Sequence, residues 1–209
     1  MNPEPDVVLV HGLWMNGWEM GLLHYRLRRA GFRTWRFTYP TRQATVAANA
    51  ARLHHFLQQH GLTDNLHLVG HSLGGLVILR FLHDFPQWPV RASIALGSPF
   101  QGSQAAKQLA LFPPTCWLLG RSLPEGLDGT GIRVVPPGRL FGCVVGDRAL
   151  GLAQHILHLE PGSDGVVTLR ETYLEGTQLR LQRPCGHLGL VLSRAVTADI
   201  VAFFRTLTP

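Results

Sequence analysis

Residues 66–76 read Leu66-His67-Leu68-Val69-Gly70-His71-Ser72-Leu73-Gly74-Gly75-Leu76. Residues 66–69, apolar except for His67, form a short buried-strand pattern. Glycines stand two positions before and two after Ser72, and an apolar run then continues as a helix to Phe85, where Pro86 stops it. A strand that turns at once into a helix around G-x-S-x-G puts its serine on a tight, strained turn. The hydroxyl is thereby pushed out of the sheet, where it can act as a nucleophile. The bare pentapeptide is common by chance; the strand before it and the helix after it give it meaning. The bland alternative is a glycine-rich turn whose serine only caps the helix.

Outward from this turn the chain alternates strands and helices. Residues 7–10 (Val-Val-Leu-Val) are an apolar run that ends at His11-Gly12. Met20, Leu23, Leu27 and Ala30 follow at helical spacing with Gly31 behind them. Residues 33–39 alternate and stop at Pro40; Val46, Ala50, Leu53 and Leu57 make the next helical stripe. Strands are predicted over 90–96, 140–145 and 178–182, and a terminal amphipathic helix over 188–207. The predicted architecture is α/β: a mainly parallel six-stranded sheet with helices on both faces. Ligands of such sheets bind beyond the carboxyl ends of the strands, where His11-Gly12, Ser72, Gly97-Ser98, Asp147 or Asp164, and His187 all fall. The segment 112–138, rich in Pro and Gly, breaks the alternation. It reads as an irregular excursion over the strand ends and a candidate small lid.

The chain has 209 residues, 45% of them hydrophobic, which excludes disorder and fits one domain with its own core. Its longest apolar stretch, 66–82, is interrupted by His67, His71, Ser72 and Arg80 and is no membrane span. The net charge of +6 comes almost wholly from scattered arginines, Lys107 being the single lysine. The densest group is Arg26, Arg28, Arg29, Arg33 and Arg36. No nucleic-acid motif or aromatic platform accompanies it, so nucleic acid is not an expected partner, and transient contact with an anionic lipid surface is left open. The bland reading of that group is a solvated basic face. Three widely spaced cysteines and no CxxC fit a reducing compartment, and no signal peptide is visible, so the expected address is the cytoplasm.

A serine hydroxyl needs a base. His187, in Arg183-Pro184-Cys185-Gly186-His187-Leu188-Gly189 after the last strand, stands where an ordered Ser…acid…His set needs one. His54, His55 and His60 are expected at the surface. His71 is expected to point into the packing between helix and sheet, and His11 to be structural. His155 and His158 share a helical spacing, but no third ligand is evident, so no metal is predicted. The carboxylate that orients the base is Asp164 or Asp147. Asp164 is favoured: it sits in Pro161-Gly162-Ser163-Asp164-Gly165-Val166-Val167, a tight loop that Val166-Val167 can anchor. Asp147 directly follows the fifth strand; Asp128 and Glu160 are poorer candidates. The oxyanion donors are the backbone N–H groups of Leu73, at the helix start, and Leu13, in the loop after the first strand. Trp14 and Met15 are candidate substrate-binding residues, with Trp117, Leu118 and Leu119 as further candidates from the excursion; ordinary core packing is the alternative for each.

Taken together, the motifs at 10–13 (Val-His-Gly-Leu), 70–75, 97–103 (Gly-Ser-Pro-Phe-Gln-Gly-Ser), 163–167 (Ser-Asp-Gly-Val-Val) and 186–190 (Gly-His-Leu-Gly-Leu) resemble the α/β-hydrolase superfamily, and within it the small bacterial lipases and esterases. The resemblance spans nearly the whole chain. It implies a single α/β-hydrolase domain over 1–209, with Ser72 as nucleophile, Asp164 as acid and His187 as base. It implies Leu13 and Leu73 as oxyanion donors, and neither cofactor nor metal. The segment from Asp147 to Ser163 is longer than in the minimal lipases, which keeps Asp147 in play, and those lipases are mostly secreted.

The expected function is hydrolysis of carboxylic esters with an apolar acyl group, on a small-molecule or lipid substrate and without an obligate protein partner. An acyl thioesterase, amidase or acyltransferase would use the same three residues. A silent hydrolase fold serving as a binding module would show an incomplete triad or a blocked oxyanion hole.

Overall fold

The computed structural model describes residues 4–111, 120–122, 126–149 and 162–206. Six strands make its sheet: β1 (Asp6–Val10), β2 (Arg33–Phe37), β3 (Leu66–His71), β4 (Val90–Leu96), β5 (Phe141–Gly146) and β6 (Leu179–Arg183). Their order is β2-β1-β3-β4-β5-β6, and every pairing is parallel. The inner strands β1, β3 and β5 are buried along their whole length, while the edge strands β2 and β6 alternate between covered and exposed residues. A parallel sheet covered on both faces demands that pattern.

The period-two alternation of a strand divides the core into two layers. Val8 and Val10 of β1 and Leu68 of β3 face α2 (Val46–Gln59) and α3 (Leu73–Asp84), packing with Leu53, Leu57, Ile78 and Phe81. Val7, Leu9 and Val69 face the other way, against Leu23 and Leu27 of α1 (Gly21–Arg29). The chain runs from β1 outward to β2 and returns on the other side of β1 as β3. That reversal opens a crevice at the carboxyl ends of β1 and β3, the place where open α/β sheets take ligands.

Two local readings of the sequence are corrected here, and one helix is added to them. The terminal helix is broken into α5 (Gly189–Leu192) and α6 (Arg194–Arg205) at Ser193, which is extended (φ −71°, ψ 132°) and accepts the Val196 N–H on its side chain. A serine that satisfies an orphan amide of a new first turn competes with helix continuation. The strand over 33–39 ends at Phe37, and Tyr39 turns away to donate its hydroxyl to the His11 carbonyl at 2.6 Å. A further helix, α4 (Gln104–Ala110), starts directly after the 97–103 motif, its first turn capped by Ser103.

Part of the predicted excursion, 112–119 and 123–125, lies outside the described residues, as do His155, His158, Glu160, Trp117, Leu118 and Leu119. Within the described part, Ser103 N–H donates to Leu127 O, and Val135 N–H to Glu175 O. No helix of the described residues is long and apolar enough to cross a membrane.

Candidate active site

Ser72 is the joint between β3 and α3, with φ +52° and ψ −119°. A non-glycine residue in that region carries roughly 1–3 kcal/mol of strain, so its surroundings must hold it there. A Cβ on Gly70 would lie 2.6 Å from backbone atoms of Gly74 and Gly75; on Gly74 it would fall onto Val10 O, and on Gly75 onto Ser98 Oγ. The missing side chains let the start of α3 press against the ends of β1 and β4. Ser72 N–H donates to Leu96 O at 2.9 Å, which ties the turn to β4. The first-turn amides of α3 have no acceptor within the helix, so the positive end of its dipole lies beside the serine.

His187 stands across from the elbow. Its Nδ1 lies 2.6 Å from Asp164 Oδ2, its backbone N–H donates to Asp164 O at 2.9 Å, and both side chains are almost wholly buried. The other carboxylate oxygen, Oδ1, accepts N–H bonds from Val166 (3.0 Å) and Val167 (2.8 Å). Asp164 thus spends its acceptors on one imidazole and two amides, which fixes its rotamer. Asp147 is turned elsewhere, accepting Gln182 Nε2 at 2.6 Å between β5 and β6. Of the two carboxylates open in the sequence, Asp164 is the one that touches His187. Asp128 serves its own loop by accepting from Thr130. At the end of β4, a Cβ on Gly97 would come within 3.0 Å of Asp164 Oδ2 and 3.2 Å of His187 Nδ1, so bare backbone floors the pair.

His71 was expected to point into the helix–sheet packing. It is fully buried, but it faces the site: its Nε2 donates to the His187 carbonyl at 3.1 Å, and the two rings lie 4.7 Å apart. Burial, with the His187 charge second, holds its pKa well below the ordinary histidine value, so the ring is neutral. No sequence pattern points to this contact, which spans 116 positions.

His11 is structural, as expected, and its placement matters. Its ring stacks on Tyr39 at 4.4 Å, its Nδ1 donates to Gly12 O, and Tyr39 grips its carbonyl. Burial lowers the His11 pKa and raises that of Tyr39, leaving both neutral. The loop that carries Leu13 is braced by this pair.

A cavity of about 360 Å³ opens at this point, lined by Ser72 and His187 together with Leu13, Trp14, Met15, Ala106, Val167 and Leu188. Trp14 and Met15, the candidate substrate-binding residues, line this cavity, and Leu73 is buried at the start of α3. Trp14 and Leu188 remain 54% and 52% exposed and form an apolar rim. No cluster of three His, Cys, Asp or Glu among the described residues could hold a metal ion.

The model of the alpha/beta hydrolase family matches residues 7–174, from β1 through the Asp164 loop. The chain belongs to this family. The sequence matches none of the curated proteins with which it was compared. Among solved structures it is similar to the mature form of the Bacillus licheniformis lipase BlEst2 (19% identity, TM-score 0.73), covering 100% of this chain and 94% of that one. The propeptide form of that lipase gives 20% identity and a TM-score of 0.74 over 96% of this chain, which spans only 51% of its length. The metagenomic carboxyl esterase MGS0156 is similar at 16% identity and a TM-score of 0.73, covering 99% of this chain and 75% of that one. At such identities the likeness is one of fold.

Proposed function

We propose that this member of the alpha/beta hydrolase family is a serine hydrolase of carboxylic esters with an apolar acyl group. The observation that carries the reading is the buried Asp164–His187 pair, opening onto the same apolar cavity as a strained Ser72. Asp164 accepts the Nδ1–H of His187 and so leaves Nε2 as the bare, basic nitrogen. That nitrogen takes the Ser72 proton as Oγ adds to the ester carbonyl. The oxyanion of the tetrahedral intermediate is met by the backbone N–H groups of Leu13 and Leu73, the second at the positive end of α3. On collapse His187 returns the proton to the departing alcohol, leaving an acyl-enzyme. A water molecule, deprotonated by the same nitrogen, then releases the acid and restores Ser72.

The substrate is a small-molecule or lipid ester. The apolar cavity and the exposed rim of Trp14 and Leu188 support an aliphatic acyl group rather than a charged one. The arginines of α1, Arg26, Arg28 and Arg29, suit transient contact with an anionic lipid surface.

The test is labelling by a fluorophosphonate serine probe, with turnover of p-nitrophenyl esters, acyl thioesters and anilides. The expected outcome is labelling of the wild type and none of folded Ser72→Ala, with esters the best substrates by kcat/KM. A folded wild type that takes no label would overturn the hydrolase reading. Thioesters or amides ahead by orders of magnitude would overturn the ester assignment.

A further inference from the structure

The loop that carries Asp164 holds a second buried carboxylate. Val166 and Val167 give their N–H groups to Asp164, and the next residue, Thr168, gives its N–H to Glu171 Oε2 at 2.7 Å. Glu171 is only 8% exposed. Its other oxygen, Oε1, leaves the loop and accepts the N–H of Gln104, the first residue of α4. One carboxylate therefore joins two segments 67 positions apart in sequence. Both segments line the cavity: α4 contributes Ala105, Ala106 and Leu109, and the loop contributes Val166 and Val167.

How these two segments are held together shapes the apolar lining that an acyl chain would meet. We propose that Glu171 is a specificity-determining positioning residue, bolting α4 to the Asp164 loop so that the cavity discriminates acyl chains by length. The inference rests on the ester-hydrolase reading above. Glu171 touches neither Ser72 nor His187 in any hydrogen bond of the described residues, so its action on the substrate goes through the walls. A charged carboxylate is the group that can accept from both amides at once. A glutamine keeps one acceptor and turns an NH2 toward the other amide, and an alanine leaves both amides unmatched. Asp164 is the acidic group that faces it, and Arg180, which donates to Leu169 O and Thr172 O, is the cation packed against the same loop.

The experiment compares wild type, Glu171→Gln and Glu171→Ala on p-nitrophenyl acetate, butyrate and octanoate, and measures labelling rates by alkyl fluorophosphonates with two-carbon and eight-carbon chains. Thermal unfolding checks that each variant is folded. The expected result is a kcat/KM for octanoate lowered about tenfold in Glu171→Ala, mainly through KM, with acetate within about twofold of wild type and the labelling-rate ratio shifted in the same sense. Glu171→Gln should lie between the two, and it decides the matter if the alanine variant does not fold. A loss equal for all chain lengths, falling on kcat, would overturn the inference, because it would make Glu171 a support of Asp164 alone. Unchanged ratios in folded variants would overturn it too. A wild type that takes neither label is a different failure, of the hydrolase reading itself.

Discussion

On one side of the cavity Ser72 is held by what is missing around it, and on the other His187 and Asp164 are held by what is present. At the elbow, three glycines allow close approach: Gly70 and Gly74 meet backbone, the latter against Val10 O, and Gly75 lies against the Ser98 side chain. Repulsion fixes the turn from every side, and the core behind it is filled by buried α3 residues such as Val77, Ile78 and Phe81. The Asp164–His187 side packs Leu190 and Val191 into the core, but the pair itself is placed by polar contacts. It is a loop and a short helical turn joined by directional bonds: Nδ1 to Oδ2, two amides to Oδ1, and the His71 ring to the His187 carbonyl. Steric confinement cannot be rearranged cheaply. A hydrogen-bonded arrangement can lose one member and keep its shape while losing its chemistry. Substitutions on the two sides should therefore fail differently.

The largest effect should come from the bonded side and fall on rate alone. In Asp164→Asn the amide oxygen can still accept from Val166 and Val167, so the loop stays formed. The NH2 group then faces His187 Nδ1 and forces that nitrogen to be the acceptor. The proton moves to Nε2, where the base should be bare. The expected loss in kcat is about 10⁴-fold, with thermal unfolding little changed. Asp147→Asn, whose parent carboxylate is bonded to Gln182, should stay within about twofold of wild type in ester turnover. If Asp147→Asn proved the crippled variant, the assignment of Asp164 would fall.

The elbow should break by unfolding rather than by loss of rate. A Cβ on Gly74 meets a carbonyl oxygen that the sheet cannot move, and Gly74→Ala should cost about 3 kcal/mol or more. Gly31 makes the control: it too is glycine, at φ +90°, but nothing lies within 4 Å of a Cβ there. Gly31→Ala should cost only the left-handed penalty, about 1 kcal/mol. Urea unfolding of the two variants measures the difference. Equal costs would mean that the contact between position 74 and Val10 O relaxes cheaply and does not confine the elbow.

The same contrast explains what could be read from the sequence. Steric confinement leaves a local signature, because close approach requires glycine at fixed spacing around Ser72, and the buried strand before the elbow shows as an apolar run, Leu66 to Val69, broken only by His67. His187 and the Asp164 loop were legible by position, after the last strand and within a Gly-rich turn. Contacts made by hydrogen bonds across the chain leave no such trace. Nothing near Glu171 announces Gln104, nothing near Asp147 announces Gln182, and His71 lies inside the motif, next to Ser72, yet acts on a residue 116 positions away. The break at Ser193 was hidden for a related reason: an apolar stripe with helical period continues across it, and only the local competition of a serine side chain for the Val196 amide interrupts the helix.

Acid should probe the sterically packed side first, because β3 carries two buried histidines. His67 is stacked on Phe204 at 4.3 Å and meets Phe32 edge-on, and its Nδ1 has no hydrogen-bond partner among the described residues. Burial, with Arg91 second, lowers its pKa to about 4. In the unfolded chain the same ring binds a proton near pH 6.5. Between those two values the unfolded state holds more protons than the folded one, so stability falls as the pH is lowered. The sign is that of a neutral base forced to charge inside a core. At pH 4.5 the deficit from His67 alone is about 2.5 kcal/mol relative to pH 7. His67→Phe keeps a ring between Phe32 and Phe204 and removes both the titration and the unmatched nitrogen. Urea unfolding at pH 7 and pH 4.5 should show a loss on acidification smaller than that of wild type by about this amount, with His71 supplying part of what remains. If wild type and variant lost the same stability between the two pH values, acid would be acting elsewhere, and His71, the other buried histidine of β3, would be the next place to look.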